Sequence, residues 1–185
     1  MRTAFLDRDG TIIKEKNFIK TPDEIEFIPN SIEAIKILKE SGYKIIVISN
    51  QSGIGRGILN EGTVTKVNES FLERLKKENA GIDALYFCPH SPEEDCDCRK
   101  PRIGLIMKAV EEQKLDLKDA VVIGDKLSDV ELGKKLRAKT VLVLTGYGKK
   151  EAEKASVSQI KPDFIADDLY GAVNWLKNTS FKEST

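Results

Sequence analysis

Short apolar runs alternate along this chain with longer segments in which apolar residues recur every three or four positions. The runs at 44–49 and 120–124 are apolar and largely β-branched, which is typical of strands buried on both faces of a parallel sheet. A similar run opens the chain and ends at Asp7. Further runs at 83–88, 140–144 and 163–165 predict three more strands.

Helical periodicity in the intervening segments predicts helices between these strands. We expect Ser31 and Ser128 to cap two of them, and we expect others after residue 60, over 104–113 and over 169–176. Strand and helix therefore alternate, which predicts an α/β fold with a doubly wound, mostly parallel sheet. We expect one domain over residues 1–185, without a large cap.

Four segments carry no clear periodicity. Residues 12–29 are polar and contain two prolines, so we expect an irregular loop over the edge of the sheet where ligands bind. Residues 149–161 and the tail after Asn178 are expected to be loosely held. The irregular segment 88–101 is a candidate metal-binding loop.

The charge balance excludes a strong global field. Thirty basic residues face thirty acidic ones, so nothing in the net charge draws the chain to nucleic acid or to an anionic membrane. Apolar runs are too short to cross a bilayer, and the N-terminus turns acidic before a signal core could develop. We expect a cytoplasmic monomer that binds neither membranes nor nucleic acid.

Polar residues follow three of the predicted strands. Asp7 and Asp9 alone fit a solvated turn as well as a metal site. However, Ser49 and Asn50 end a second strand, and Asp125 and Lys126 end a third. The carboxyl ends of parallel strands meet at one edge, which favours a single site.

The residue types at this edge suit phosphoryl transfer. Mg²⁺ prefers carboxylate oxygens, which Asp7, Asp9 and Asp125 supply. One aspartate can attack phosphorus, while the second protonates the leaving oxygen and later deprotonates water. A serine hydroxyl and a lysine ammonium can offset the charge of the transferring group.

The glycine-rich turn at 50–60 raises a competing interpretation. Gly53, Gly55 and Gly57 resemble part of a dinucleotide fingerprint, but the position for its third glycine holds Ile58. We therefore interpret the turn as a flexible loop over the site. Its Arg56 is available to an anionic substrate.

The cysteines and the histidine cluster. Cys88, His90, Cys96 and Cys98 include every cysteine and the one histidine of the chain. Four such ligands complete a tetrahedral Zn²⁺ site with no open position, so the metal would be structural. A disulfide and incidental clustering are the alternatives.

The 99–101 segment that follows could place Arg99 and Lys100 over a phosphate, or could be a solvated basic pair.

Four motifs in order resemble those of the haloacid dehalogenase-like phosphatases. They are DRDGT at 7–11, the strand that ends in Ser49, RKP at 99–101, and GDKLSD at 124–129. The resemblance covers nearly the whole chain. It implies that Asp7 is the nucleophile and Asp9 the general acid and base, with Asp9 contacting Mg²⁺ through its backbone carbonyl.

The resemblance also implies the binding residues. The zinc loop, residues 88–101, would hold a structural Zn²⁺ beside the catalytic Mg²⁺. Residues 15–18 would contact the sugar of a small phosphorylated substrate. The implied substrate contacts are Glu15, Lys16, Asn17, Phe18, Ser49, Asn50, Gln51, Ser52, Arg56, Arg99, Lys100 and Lys126.

Within this family, the branch with a zinc loop and no large cap includes enzymes for a heptose 1,7-bisphosphate and for histidinol phosphate. The 50–57 loop and the 124–126 segment resemble the former, and the short gap between His90 and Cys96 resembles the latter. Because the 50–57 loop borders the substrate, the sequence favours a sugar bisphosphate.

Two other classes of protein share some of these features. A phosphorylatable signalling receiver also combines acids, Mg²⁺, a hydroxyl and a lysine, but its phosphorylated aspartate ends a middle strand, whereas Asp83 begins one here. A zinc-stabilised nucleic-acid module is disfavoured by the neutral charge and by the lack of clustered aromatics.

Overall fold

The computed structural model of the chain describes residues 2–180. A six-stranded sheet forms its centre, with the strand order β3-β2-β1-β4-β5-β6. Every neighbouring pair in the sheet is parallel. The strands are β1 (Arg2–Leu6), β2 (Tyr43–Asn50), β3 (Ala84–Cys88), β4 (Val121–Gly124), β5 (Lys139–Val143) and β6 (Phe164–Ala166).

Helices connect these strands, and the predicted doubly wound α/β fold is confirmed. In the described part of the chain no helix is both long and apolar enough to cross a membrane. The helices are α1 (Ser31–Glu40), α2 (Glu61–Lys77), α3 (Gly104–Gln113), α4 (Leu127–Lys135), α5 (Gly148–Val157) and α6 (Leu169–Ser180).

Alternation along the strands divides the core between the two faces of the sheet. Ala4 and Leu6 of β1 belong to the cluster that packs against α1, α2 and α6. Phe5 belongs to the opposite cluster, which α3 and α4 cover. Both faces are therefore buried, which explains why β1, β2 and β4 are almost continuously apolar.

The strand order places β1 at the centre, where the connections diverge. β2 lies on one side of β1 and β4 on the other, so the crevice beyond their carboxyl ends is a topological switch point. Leu6 is in register with Val47 of β2 and with Ile123 of β4. The residues that follow these three strands therefore meet at one edge.

Two segments are more ordered than the sequence pattern suggested. Residues 149–161 were expected to be loose, but α5 occupies most of them, with Ala155 buried and Glu151 accepting from Leu127 N at 3.0 Å. Because α5 has few apolar residues among many charged ones, its sequence shows little helical periodicity. Residues 12–29 do form an irregular segment, with one 3-10 turn at Pro22–Glu24, but it is anchored, because Ile12, Ile13 and other isoleucines there are buried in the core.

Two predicted helix caps are wrong by one or two residues. α1 begins at Ser31 and its N-cap is Asn30. α4 is capped at Lys126 rather than at Ser128, and Asp129 Oδ2 accepts from Lys126 N at 3.2 Å. Residues 178–180 continue α6, and the rest of the tail lies outside the described residues.

Phe71 tests how far the core depends on α2. Its side chain is fully buried and stacks on Phe27 at a centroid distance of 6.0 Å. Replacing Phe71 by alanine should lower the free energy of unfolding by about 3–5 kcal/mol, because burial is lost and a cavity remains. Urea unfolding measures this, with exposed Glu69→Ala expected within about 0.5 kcal/mol of wild type. An equally small effect of Phe71→Ala would contradict the packing.

Candidate active site

Asp7 begins the site directly after β1. Its backbone N–H donates to Ile123 O at 2.9 Å, which extends the pairing with β4 by one residue. The Asp7 side chain is buried, and its Oδ1 lies 2.5 Å from Lys100 Nζ. Lys100 Nζ also lies 2.7 Å from Asp129 Oδ1 and donates to Ile48 O at 2.7 Å. One buried ammonium is thus shared by two carboxylates that are far apart in the sequence.

A group of buried carboxylates forms the centre of the site. Oxygens of Asp7, Asp125 and Asp129 all lie within 4.8 Å of one another. Asp125 Oδ2 accepts from Tyr147 N at 2.8 Å, whereas Asp125 Oδ1 is buried without a hydrogen-bond partner among residues 2–180. An unpartnered carboxylate oxygen beside two other acids suits a hard divalent cation such as Mg²⁺.

Burial and mutual repulsion control protonation in this group. Burial raises the pKa of Asp7 to about 6, against the opposing effect of Lys100. Burial, together with the charge of Asp7, raises the pKa of Asp125 to about 8. Burial disfavours the charged form of Lys100, but Asp129 and Asp7 outweigh this and raise its pKa. The three carboxylates outnumber the one ammonium that contacts them, and the raised pKa values reflect this repulsion, as at a cation site.

Gly10 allows the chain to turn against this group. Its φ is +90°, and a Cβ at this position would overlap the carboxylate of Asp125. The glycine of the DRDGT motif is therefore required twice, by its backbone conformation and by the close approach to Asp125.

Asp9 faces a different set of partners from Asp7. Its carboxylate accepts from the Arg8 guanidinium at 2.9–3.1 Å and from Gln51 Nε2 at 2.8 Å. Ser49 Oγ lies 3.4 Å away and accepts from Gln51 Nε2 at 2.7 Å. The Asp9 carboxylate therefore does not join the Asp7 group, and an Asp9 contact to Mg²⁺ through the backbone carbonyl stays a prediction.

The glycine turn packs directly against the zinc loop. Gly55 N donates to Pro89 O at 2.8 Å, and a Cβ on Gly55 would overlap the backbone N of Ser91. At the end of β2, the Asn50 amide bonds both backbone groups of Lys100, at 3.1 and 3.3 Å. These contacts hold the segment that carries Lys100 against the sheet edge.

The four predicted zinc ligands do converge. Sulfur–sulfur distances among Cys88, Cys96 and Cys98 are 3.1–3.5 Å. His90 Nδ1 lies 3.2 Å from Cys98 Sγ and 3.6 Å from Cys88 Sγ. A tetrahedral zinc site with Zn–S bonds of about 2.3 Å has edges of about 3.8 Å, so these donors lie slightly closer together than zinc would hold them. Three thiols and one imidazole that converge on one point are a donor set that suits Zn²⁺. All three cysteines are free thiols here, which excludes a disulfide in this structure.

The wall opposite the zinc loop is built around Lys126. Its Nζ lies 3.6 Å from Glu15 Oε2 and 4.6 Å from the centre of the Tyr147 ring. Tyr147 Oη donates to Asn17 Oδ1 at 3.0 Å. Burial raises the pKa of Glu15, whereas for Lys126 the charges of Asp7, Asp125 and Glu15 outweigh burial and raise its pKa.

These walls enclose a cavity of about 340 Å³ above the carboxylates. It collects every predicted substrate residue except Lys16, which pairs with Glu26 instead. Asp125 lies beneath the cavity and is fully buried. The lining residues are Asp7, Arg8, Asp9, Glu15, Asn17, Phe18, Ile19, Ser49, Asn50, Gln51, Ser52, Arg56, Arg99, Lys100, Lys126, Ser128 and Tyr147.

The sequence pattern did not assign five residues to the site, which are Arg8, Ile19, Ser128, Asp129 and Tyr147. Asp129 and Arg8 lie inside recognised motifs but were assigned no separate function. Their burial, 2% exposed in each case, could be read only from the fold. Tyr147 follows β5 within a segment that carried no motif.

Comparisons with known proteins agree on a family. A family model described as "HAD-hyrolase-like" matches residues 97–172. The D-glycero-beta-D-manno-heptose-1,7-bisphosphate 7-phosphatase of Pasteurella multocida is 38% identical over 163 residues, covering 82% of this chain and 89% of that protein. The D-glycero-D-manno-heptose-1,7-bisphosphate 7-phosphatase of Chlorobaculum tepidum is 37% identical, covering 93% of this chain and 92% of its own.

A solved structure extends the similarity to the whole fold. The D,D-heptose 1,7-bisphosphate phosphatase from B. bronchiseptica, complexed with magnesium and phosphate, superposes with a TM-score of 0.87 at 28% identity. The match covers 97% of this chain and 99% of that one.

This chain belongs to the haloacid dehalogenase-like phosphatases, as its four motifs predicted. It is an enzyme that hydrolyses phosphate esters. Its relatives from P. multocida and C. tepidum are heptose bisphosphate 7-phosphatases.

The raised pKa values make cation binding depend on pH. Without a cation, the folded protein keeps protons on Asp7 and Asp125 up to pH values of about 6 and 8, whereas the unfolded chain loses them near pH 4. The stability of the cation-free protein should therefore fall as pH rises through this window.

Added Mg²⁺ must displace those protons, so its stabilising effect should be larger at pH 8.5 than at pH 5.5. Thermal unfolding with and without Mg²⁺ at both pH values measures the difference. Asp125→Asn should remove most of the Mg²⁺ response. Equal Mg²⁺ shifts at the two pH values in the wild type would contradict this assignment.

Proposed function

We propose that this protein is a Mg²⁺-dependent phosphatase that removes the 7-phosphate from D-glycero-D-manno-heptose 1,7-bisphosphate. The observation that carries the proposal is the position of two aspartates, Asp7 and Asp9, in the lining of one cavity that basic side chains also line. Asp7 is held by Lys100 and Asp9 by Arg8, so the two carboxylates have separate partners. Separate surroundings suit a nucleophile and a proton carrier.

In the first half-reaction, an Asp7 carboxylate oxygen attacks phosphorus and forms an aspartyl-phosphate. The bond to the sugar oxygen breaks, and that oxygen takes a proton from Asp9. In the second half-reaction, Asp9 removes a proton from water as the water attacks phosphorus. Inorganic phosphate leaves, and the carboxylate of Asp7 is restored.

The surrounding groups stabilise the charge of the transferring phosphoryl group. Asp7, Asp125 and the backbone carbonyl of Asp9 would hold Mg²⁺, with Asp129 beside them. When bound, the cation supplies positive charge to the phosphoryl oxygens. Lys100 supplies a fixed ammonium beside the nucleophile, and Ser49 supplies a hydroxyl at the adjacent strand end.

Recognition of the sugar and of the second phosphate falls to the loops. Arg56 and Arg99 offer guanidinium groups suited to phosphate. Glu15, Asn17 and Phe18 offer polar and apolar contacts from the opposite side of the cavity. The size and polarity of the cavity suit a small phosphorylated metabolite. The names of the curated relatives support a heptose bisphosphate.

The zinc loop would hold one structural Zn²⁺ through Cys88, His90, Cys96 and Cys98. In this arrangement the metal takes no part in the chemistry. It would fix the path of the loop so that Lys100 reaches Asp7. A monomeric, cytoplasmic enzyme stays a prediction.

A phosphate-release panel tests the function. We expect kcat/KM for heptose 1,7-bisphosphate to exceed the values for fructose 1,6-bisphosphate and histidinol phosphate by at least about tenfold. Asp7→Asn should lower kcat by at least about 1,000-fold on every substrate, because the nucleophile is lost.

Equal rates on the three substrates would defeat the assigned substrate and leave the reaction class intact. A higher rate on histidinol phosphate would favour the alternative that the short zinc loop suggests. Retained activity of Asp7→Asn would overturn the mechanism itself.

Zinc content tests the structural metal independently of activity. The purified protein should contain about one zinc ion per chain, and Cys98→Ser should lose most of it together with thermal stability. Asp97→Asn is the matched control, because Asp97 lies between two ligands but its side chain is fully exposed. Full zinc content in Cys98→Ser, or none in the wild type, would show that the cluster is not a zinc site.

A further inference from the structure

We propose that Arg8 is a positioning residue that orients Asp9 for proton transfer, with Asn68 holding Arg8 in place. This inference rests on the proposed phosphatase mechanism and adds to it a device for directing the proton. Arg8 stands between the two aspartates in sequence, yet its guanidinium contacts the carboxylate of Asp9. It therefore acts on the proton carrier and leaves the nucleophile to Lys100.

The burial of Arg8 requires an explanation. Its side chain is 2% exposed and is the largest fully buried side chain in the described residues. A buried guanidinium is costly unless charged and polar partners satisfy it. Arginine also stays protonated in proteins, so Arg8 donates no proton itself. Arg8 also lines the cavity together with Asp7 and Asp9, so its buried charge lies beside the reacting groups, which points to a function for that charge.

The two oxygens of Asp9 are not equivalent. Oδ2 accepts from Arg8 Nε, Arg8 Nη2 and Gln51 Nε2 at 3.1, 2.9 and 2.8 Å, and Ser49 Oγ lies 3.4 Å away. Within residues 2–180, Oδ1 accepts from Arg8 Nη2 alone, at 3.0 Å. Donors crowd Oδ2 and leave Oδ1 with spare lone pairs. The geometry therefore assigns the transferred proton to Oδ1.

Asn68 completes the arrangement from the far side. It lies on α2 among the apolar residues that face the core, and it is 6% exposed. Its Oδ1 accepts a short hydrogen bond from Arg8 Nη1. A polar residue in the middle of a buried helical face has a defined use here, since it fixes the rotation of the guanidinium. Asn68 forms no hydrogen bond to Asp9 in the described residues, so we expect its influence to pass through Arg8.

The proton balance defines what Arg8 contributes. In the first half-reaction the proton on Asp9 Oδ1 passes to the departing sugar oxygen, and in the second a proton from water returns to Oδ1. Arg8 remains a cation throughout and keeps the carboxylate plane fixed in both directions. Misplacing that plane by a fraction of an ångström slows proton transfer, whereas attack by Asp7 on phosphorus needs no proton.

Leaving-group dependence separates this function from a purely structural one. p-Nitrophenolate leaves without protonation, whereas a sugar alkoxide needs the proton of Asp9. With enzyme in excess, Arg8→Met should release p-nitrophenolate from p-nitrophenyl phosphate in a single turnover within about threefold of the wild-type rate. Cleavage of heptose 1,7-bisphosphate in the same format should slow by about 100-fold.

Two further variants keep the test usable if Arg8→Met folds poorly. Arg8→Lys keeps the positive charge but lacks the paired N–H donors of the guanidinium. Its rate on the sugar phosphate should therefore lie between those of Arg8→Met and the wild type. Asn68→Ala should also slow cleavage of the sugar phosphate relative to p-nitrophenyl phosphate, by a smaller factor than Arg8→Met. The double variant should lose less than the product of the single losses, because both act through one contact.

Arg74 provides the matched control on the same helix. It donates to the carbonyls of Pro22 and Ile25, away from the catalytic groups. Arg74→Gln should lower thermal stability while the ratio of the two single-turnover rates stays within about twofold of wild type.

The inference would be overturned if the ratio of the two single-turnover rates stayed at the wild-type value in both Arg8→Met and Asn68→Ala, whether or not the two rates fell together. If the wild type itself cleaves neither substrate, the proposed function fails instead. The two failures are therefore distinguishable.

Discussion

Buried negative charge at the carboxyl edge of the sheet is the constraint that organises this enzyme. Asp7, Asp125 and Asp129 bring three carboxylates within 4.8 Å, where their repulsion and desolvation would oppose folding. Lys100 offsets part of this charge from a loop, and the group as a whole suits a divalent cation. The parallel sheet brings the strand ends together, and Gly10 lets the backbone after β1 turn directly against the carboxylate of Asp125.

Much of this arrangement could be predicted from the sequence. Parallel strands bury both faces, so β2 and β4 appear as continuous apolar runs, and the residues after them must share an edge. Asp7, Ser49 and Asp125 were located by that argument alone. The cysteine cluster was predicted for a related reason, since four metal donors so close together along a chain can reach one ion with little help from the fold.

Other features depend on contacts that the sequence pattern does not encode. α5 has few apolar residues, and only the small residues Gly148 and Ala155 are buried in it. Lys16 belongs to the predicted sugar-contacting segment, but Glu26 on the neighbouring stretch draws its ammonium away from the cavity. The burial of Arg8 depends on Asn68, 60 positions along the chain. Long-range pairs of this kind are visible only once the fold brings them together.

The origin of Lys100 sets a limit on how this enzyme can diversify. In an α/β sheet the strand ends usually hold the chemistry while the loops vary freely with the substrate. Here the ammonium beside Asp7 comes from a loop, 93 positions along the chain. Exchanging the 88–101 loop between related enzymes would therefore transplant part of the catalytic centre along with the recognition surface. Engineering of new specificity is better directed at the side chains of Glu15, Asn17 and Tyr147, which form no hydrogen bond to Asp7 in the described residues.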